Sequence, residues 1–198
     1  MISTLDHLII VVKDLDEAEK DYTKIFGMSP VWRGEHKELG TINSIFNLEN
    51  TYFELLAGKG AGLGADLVSS ALEQDGEGLT GIVFGTDNIK DAHASIKSAG
   101  YGIGEISNGE GSNSDNVNIR RWQNLFLPPE LTRGLFSFVI EHTDGQLPAS
   151  NYQTSSISKL DHVVINTNDA DGLISVYQDV FKIRLALDKV IEHWKKRM

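Results

Sequence analysis

The sequence predicts an α+β protein that is built from repeated βαβββ units. Two observations support this fold class. The stretch "STLDHLIIVV" from Ser3 returns as "SKLDHVVINT" from Ser158. Between them, "LTGIVFGTDNIKDAHASIKSAGYG" from Leu79 repeats the order of an apolar strand followed by a helix. Because self-similarity of this kind marks duplicated structural units, we expect two complete units and part of a third.

The first unit spans about residues 1–58. Its opening run "LDHLIIVV" is rich in β-branched residues and predicts a strand. Asp14 suits the N-cap of a following helix that ends at Gly27, and the apolar stripe of this helix consists of Leu15, Ala18, Tyr22, Ile25 and Phe26. Three runs with turn residues at their ends then predict three strands, "PVWRGE", "TINSIFNL" and "TYFELLA".

The second unit spans about residues 78–146 and follows the same order. Asn88 suits the N-cap of its helix and Gly100 the end, with an apolar stripe of Ile89, Ala92, Ile96 and Ala99. The three strands expected after it are "GIGEIS", "NIRRWQNLFL" and "LFSFVIEHT". Gly81 stands at the position that His7 holds in the first unit.

The third copy, residues 158–198, is incomplete. When Leu5 is aligned with Leu160, the positions that match without a gap include those of Asp6, His7, Asp14, Tyr22 and Phe26. Only 39 residues remain from Leu160 onward, enough for a strand, a helix and a candidate second strand at "IRLALDKVI". Either the chain is a truncated form of a longer protein with four units, or the fragment adds its strand to a sheet edge or a neighbouring subunit. Because an unpaired apolar strand promotes association, we expect a homodimer or a higher oligomer.

Composition excludes several classes of function. The 198 residues contain no cysteine, which rules out disulfides, thiol catalysis and thiolate metal sites. A formal charge of −10 argues against nucleic-acid binding, and the basic runs "IRRW" and "HWKKRM" are expected on the solvated surface. Neither a membrane span nor a secretory signal is indicated, so we expect a cytoplasmic protein.

Three stretches carry a resemblance to a known family: "LDHLIIVVKDLDEAEKDY", "GEHKELGTINSIFNLENTYFELLA" and "FVIEHTDG". They resemble the vicinal oxygen chelate superfamily, which includes glyoxalase I, extradiol dioxygenases, methylmalonyl-CoA epimerase and bleomycin-resistance proteins, and more narrowly a glyoxalase-like branch of it. The resemblance extends to about Leu187. It implies that the two complete units form one domain, residues 1–150, in which a curved mixed sheet surrounds a cleft.

The resemblance also implies a metal site, since ligands in this superfamily come from the first and last strands of each unit. The matching residues are His7, Glu54 and Glu141, whereas Gly81 stands at the fourth position. One imidazole with two carboxylates suits Zn²⁺, Mn²⁺, Ni²⁺ or Fe²⁺. Glu54 and Glu141 are also the candidates to move a proton during catalysis.

Strand alternation is compatible with this site and also with a plainer alternative. His7 and Glu54 each interrupt an apolar row on one face of a strand. They therefore either bind a metal or satisfy each other by hydrogen bonding, as buried polar groups generally do. For His162, in the incomplete copy, a structural role is favoured.

The resemblance places three further residues near the ligand. His36 and Asn43 belong to a loop motif that recurs in the glyoxalase-like branch, and we expect them at the cleft mouth as substrate contacts. Trp122 is expected to form an aromatic wall there, although a tryptophan on a strand is more often part of the core.

A competing motif suggests a nucleotide site. The run "GAGLGA" at 60–65 follows a strand, precedes the helical "DLVSSALEQ" and has Asp87 beyond the next strand, as in a dinucleotide fingerprint. Because these glycines lie between the two complete units, where a connector is required anyway, we favour the connector.

Two functional classes follow from the sequence. The first is a metal-dependent lyase, isomerase or dioxygenase in which the ion holds adjacent oxygens of the substrate and stabilises an oxyanionic intermediate. The second is a metal-free protein that encloses a small, partly apolar ligand in the same cleft, as resistance proteins do.

Overall fold

Eight strands close into a barrel in the computed structural model of the protein, which describes residues 1–113 and 117–198. The strands are β1 (Ile2–Val11), β2 (Trp32–His36), β3 (Thr41–Asn47), β4 (Tyr52–Gly58), β5 (Gly78–Thr86), β6 (Ser107–Asn113), β7 (Ile119–Phe126) and β8 (Phe136–Asp144). Their order around the barrel is β1, β4, β3, β2, β6, β7, β8 and β5. The expected α+β fold with paired units and a curved mixed sheet is confirmed.

The two units occupy equivalent halves of the barrel. β1 runs parallel to β4 in the first unit, and β5 runs parallel to β8 in the second. The registers correspond, because Ile9 pairs with Glu54 and its counterpart Val83 pairs with Phe138. The antiparallel pairing of β1 with β5 joins the halves.

Helices cover the outside of the barrel, and the sequence places their ends well. Helix α1 (Leu15–Phe26) begins where the Asp14 carboxylate accepts hydrogen bonds from two backbone N–H groups, and it ends at Gly27, whose φ is 65°. Helix α3 (Ile89–Ser98) begins at Asn88, whose side chain accepts from the Asp91 N–H. Between them lies α2 (Leu63–Gln74), and a short α4 (Pro129–Thr132) follows β7.

The "GAGLGA" run forms the turn into α2 but lacks the topology of a dinucleotide site. β4 and β5, which flank α2, run antiparallel to one another, since β1 is parallel to β4 and antiparallel to β5. A dinucleotide fingerprint requires parallel strands on both sides of the helix. Instead, a Cβ atom at Gly62 would lie 2.6 Å from the Leu39 carbonyl carbon. These glycines therefore allow two loops to pack closely.

The incomplete copy differs from expectation at its start. Residues 158–167 form no strand, because the closed barrel leaves no edge for a ninth strand. The backbone of Leu160 instead pairs with the side chain of Asn50 in both directions, at 2.8 and 3.0 Å. The candidate second strand is reduced to Val190–Ile191, which pairs with Lys196–Arg197 as β9 and β10.

The helix of this copy does form and becomes part of the outer layer. Helix α5 (Ala170–Ser175) begins at Asp169, the counterpart of Asp14, and continues into a π-helical turn at Val176–Val180. The buried side chains of this segment join the cluster that β5 and α3 build outside the barrel; they are Val176, Val180 and Phe181. The segment thus packs on its own chain.

This packing removes the reason given above for expecting an oligomer, because the unpaired strand is absent. Oligomerisation therefore stays a prediction without that support. Within the part of the chain that the structure describes, no helix has the length and apolar character needed to cross a membrane.

We expect the incomplete copy to contribute to the stability of the barrel. Phe181 is only 2% exposed, so Phe181→Ala should lower the free energy of unfolding by about 3 kcal/mol through lost burial and the cavity left behind. The exposed Leu187 provides a control, since Leu187→Ala should change this free energy by less than about 0.5 kcal/mol. Urea unfolding followed by circular dichroism measures both. Equal effects of the two substitutions would contradict the packing described.

Candidate functional site

The inward-facing side chains of the barrel surround a cavity of about 330 Å³. Most of its wall is apolar and includes Ile9, Leu39, Ile45, Leu56, Leu63, Leu67, Trp122, Phe126, Phe136, Phe138 and Ile140. Polar groups interrupt this wall at His7, His36, Thr41, Asn43, Tyr52, Glu54, Arg120, Asn124 and His142. A mostly apolar cavity with a few converging polar groups is the usual form of a small-molecule site.

His7 forms the centre of the polar groups and is only 2% exposed. Its Nδ1 atom lies 2.7 Å from Asp6 Oδ1. On the other side, its Nε2 atom lies 3.4 Å from Glu54 Oε2 but has no hydrogen-bond partner among the described residues. The imidazole ring stacks on Tyr52 at 4.4 Å. The ring is therefore held in one orientation between two carboxylates.

Asp6, His7 and Glu54 stabilise one another's charged forms, which burial alone would disfavour. Burial raises the pKa of Glu54, but the nearby imidazolium of His7 and the amide of Asn43 outweigh it and lower this pKa to about 2. Burial likewise opposes the charge of Asp6, yet His142 and His7 hold its pKa well below the usual range. For His7, burial lowers the pKa, but Asp6 and Glu54 raise it overall. The charged forms of all three are thus favoured.

Asn43 and His36 extend the cluster along β3 and β2, as the sequence predicted for the cleft. Asn43 Nδ2 donates to Glu54 Oε1 at 2.7 Å, and His36 Nδ1 lies 3.0 Å from Thr41 Oγ1. Burial, together with the positive charges of Arg120 and His7, lowers the pKa of His36. Its ring meets Trp122 edge-on at 5.7 Å. His36, Asn43 and Trp122 therefore line one cavity, whereas their role in substrate binding stays a prediction.

Glu141 does not join this cluster, so the expected trio of metal ligands is not brought together. β8 turns Ile140 and His142 toward the cavity, and alternation therefore directs Glu141 to the outer face. There its Oε2 atom accepts a hydrogen bond of 2.7 Å from the Ile89 N–H at the start of α3. Glu141 is therefore not placed to share a metal ion with His7 and Glu54, and its catalytic role stays a prediction.

At the two positions equivalent to His7 and Glu54, the second unit carries no metal-binding side chain. Gly81 is the counterpart of His7, and the strand registers make Phe138 the counterpart of Glu54. A Cβ atom at Gly81 would lie 2.9 Å from Phe136 Cδ1, so the space for a side chain there is already filled. Among residues 1–113 and 117–198, no group of three His, Cys, Asp or Glu side chains is arranged to hold a metal ion. The residues present do not fit the divalent metal that the resemblance implies.

Sequence reasoning missed Arg120. The run "IRRW" was expected on the solvated surface, and Arg121 does lie there, where it pairs with Glu110 and Asp144. Arg120, however, is only 7% exposed and lines the cavity. The spacing could have predicted this position, because Arg120 and Trp122 are two residues apart on a strand and therefore share a face.

Four buried polar atoms of the cavity wall lack a hydrogen-bond partner among the described residues. They are His7 Nε2, Asn43 Oδ1, Arg120 Nε and Asn124 Oδ1. Buried polar groups without a partner are uncommon and require an explanation, for which water or a ligand is the ordinary candidate. By contrast, His162 lies on the surface beside Asp161, away from the cavity.

Comparisons with known proteins agree with this architecture. The sequence model of the glyoxalase-like domain matches residues 5–181. A methylmalonyl-CoA epimerase in complex with methylmalonyl-CoA and NH4+ is 20% identical, with a TM-score of 0.58 over 75% of this chain and 100% of that one. The epimerase from Mycobacterium tuberculosis is 18% identical (TM-score 0.57; 72% and 90% covered). A hypothetical protein from Bacillus halodurans is 17% identical (TM-score 0.57; 74% and 98% covered). No curated protein matches the chain.

We expect the buried carboxylate of Glu54 to make stability depend on pH. Because its pKa falls from 4.5 to about 2 on folding, the charged group stabilises the fold above about pH 4.5 and loses this effect as the pH falls toward 2. Glu54→Gln should therefore lower the free energy of unfolding at pH 7 by on the order of 2 kcal/mol. This difference from the wild type should shrink below pH 4.5.

Urea unfolding at a series of pH values measures the difference. Glu38→Gln, on an exposed loop, is the matched control and should follow the wild type at every pH. A difference between Glu54→Gln and the wild type that stays constant down to pH 2 would contradict the ion-pair description.

Proposed function

Since the chain belongs to the family of glyoxalase-like domains, within the vicinal oxygen chelate superfamily, we propose that it binds a small, mostly apolar molecule in its barrel cavity without a metal ion. One observation carries this proposal. The first unit presents His7 and Glu54 to the cavity, whereas the second presents Gly81 and Phe138 at the equivalent positions.

The asymmetry between the halves disfavours a resident divalent ion. Catalytic zinc sites normally have three protein ligands, and Mn²⁺ or Fe²⁺ sites also need several oxygen or nitrogen donors. Here two donors come from one side, and the ring of Phe138 faces His7 edge-on at 5.8 Å from the other. The remaining nearby carboxylate, Asp6, already contacts His7 and His142.

The electrostatics of Glu54 favour binding over proton transfer. A general base works best when its pKa lies near the operating pH. The pKa of Glu54 is lowered to about 2, and Asn43 donates to one of its oxygens. A carboxylate stabilised in this way is a weak base, and it supports a role in fixing the orientation of His7 and of a bound ligand.

The shape of the cavity supports the size and character of the ligand. A volume of about 330 Å³ lies within the range typical of small-molecule sites. Three phenylalanines, Phe126, Phe136 and Phe138, pack together along one wall. Aromatic walls bury flat or aliphatic ligand bodies favourably.

The competing function is a metal-dependent lyase, isomerase or dioxygenase. It would place an ion on His7 and Glu54 and complete the shell with water or substrate oxygens. Among the similar structures, the methylmalonyl-CoA epimerases hold CoA esters. Metal binding by the purified protein separates this function from the proposed one.

We expect the wild-type protein to bind less than about 0.1 equivalent of Zn²⁺, Mn²⁺, Ni²⁺ or Fe²⁺ after dialysis, and its melting temperature to be unaffected by these ions. Phe138→Glu is the matched positive control, because it supplies a third ligand opposite His7 and Glu54. The melting temperature of this variant should rise when Zn²⁺ is added.

Elemental analysis and thermal unfolding provide the measurements. One equivalent of metal bound by the wild type, and lost in His7→Ala, would overturn the proposal in favour of the metal-dependent enzyme.

A further inference from the structure

Arg120 carries a buried positive charge that lacks an opposite charge in contact with it. The residue is 7% exposed, and no carboxylate of residues 1–113 or 117–198 forms an ion pair with its guanidinium. Asp6 is engaged by His7 and His142, and Glu54 by His7 and Asn43. Taking an unpaired charge out of water is costly, so such a group calls for a partner.

The surroundings of Arg120 hold the side chain in place, because the Tyr52 hydroxyl interacts with its guanidinium, while the Nε donor stays available. The guanidinium carbon lies 5.7 Å from the ring centre of Trp32 and 5.6 Å from that of Tyr52. Contacts with ring faces stabilise a cation without using its N–H groups. The Nε atom accordingly has no hydrogen-bond partner within the described part of the chain. Arg120 is therefore oriented in advance as a donor toward the cavity.

Other unpartnered atoms in the same wall indicate a ligand with more than one polar group. Asn124 follows Arg120 on the inward face of β7, and its Oδ1 atom is a buried acceptor without a donor. Asn43 Oδ1, across the cavity, is in the same state. The same cavity is also lined by the apolar side chains of Ile45, Trp122 and Phe138. Within the described part of the chain, the cavity thus combines a cation that has no carboxylate in contact and two unpartnered acceptors with an apolar space.

We infer that the ligand of this cavity carries a carboxylate, which Arg120 binds, on an aromatic or aliphatic body. This inference rests on the proposed function and specifies the class of its ligand. A carboxylate matches the fork of N–H donors on a guanidinium. His7 already contacts two carboxylates, so among the described residues Arg120 offers one cation to a ligand, which favours a monoanion over a phosphate dianion, whose second charge would stay unpaired.

Matched pairs of small molecules test the inference, with the carboxylate and its uncharged amide compared in each pair. The probes are phenylacetate and phenylacetamide, naphthalene-2-acetate and naphthalene-2-acetamide, and octanoate and octanamide. Isothermal titration calorimetry of the full chain gives their affinities. For the pair that binds best, the wild type should bind the carboxylate about tenfold more tightly than the amide or better.

Two variants of neighbouring arginines assign this preference to one residue. In Arg120→Met the ratio of the two affinities should fall to about one, because the guanidinium is removed while an apolar stem of similar shape is kept. Arg121→Met is the matched control, since Arg121 lies on the outer face of the same strand, and it should keep the wild-type ratio. Arg120→Lys should keep part of the preference, because it retains the charge without the fork.

Melting temperatures of the unliganded proteins separate a ligand-binding role from a structural one. Removing a buried charge that has no ionic partner should leave the melting temperature of Arg120→Met equal to that of the wild type or raise it. If Arg120→Met does not fold, the test uses Arg120→Lys instead. A ratio of carboxylate affinity to amide affinity that equals the wild-type ratio in every pair would then overturn the role of the guanidinium fork.

The outcomes distinguish this inference from the proposed function. If carboxylate and amide bind the wild type equally well, the inference is wrong and the proposed function stands. If the wild type prefers the carboxylate and Arg120→Met retains this preference, Arg120 is not the anchor and the inference is also wrong. If none of the six probes binds, both the inference and the binding of apolar molecules in the cavity are overturned.

Discussion

The antiparallel pairing of β1 with β5 is the constraint on which the rest of the molecule depends. It joins the two units at their first strands and sets Ile9 opposite Gly81. With the parallel pairs on either side, it closes the sheet into a barrel and gives the inward face of each strand a shared interior. Closure also removes the edge on which a further strand could have been added, so the third copy of the motif packs outside the barrel instead.

Duplication of a unit does not imply duplication of its chemistry. The two halves share strand order and register, yet the first places an imidazole and a carboxylate in the cavity, whereas the second has Gly81 and Phe138 at the equivalent positions. A barrel of this kind tolerates such divergence, because its backbone is held by ladder hydrogen bonds and by the helices outside. The reactive or binding groups are carried by inward side chains that the ladders do not require.

The charges inside the barrel fall into two sets with different consequences. The carboxylates of Asp6 and Glu54 lie at contact distance on either side of the His7 imidazolium, and these ionic contacts favour the charged forms of all three although they are buried. Arg120 has aromatic faces beside it but no carboxylate in contact within the described residues. The first set therefore contributes a rigid, preorganised wall, whereas Arg120 remains able to bind an anion.

The sequence by itself determined the repeated unit and the caps at Asp14 and Asn88, because N-caps depend on nearby residues. Strand alternation determined which residues share a face with His7 and Glu54, whereas closure of the barrel decided that these faces turn inward. The outward direction of Glu141 and the burial of Arg120 were decided by the tertiary structure. The first depends on the side that β8 turns to the cavity, and the second on closure of the sheet around β7. Whether residues 158–167 form a strand was likewise decided there, because a strand needs a free edge and the closed barrel has none.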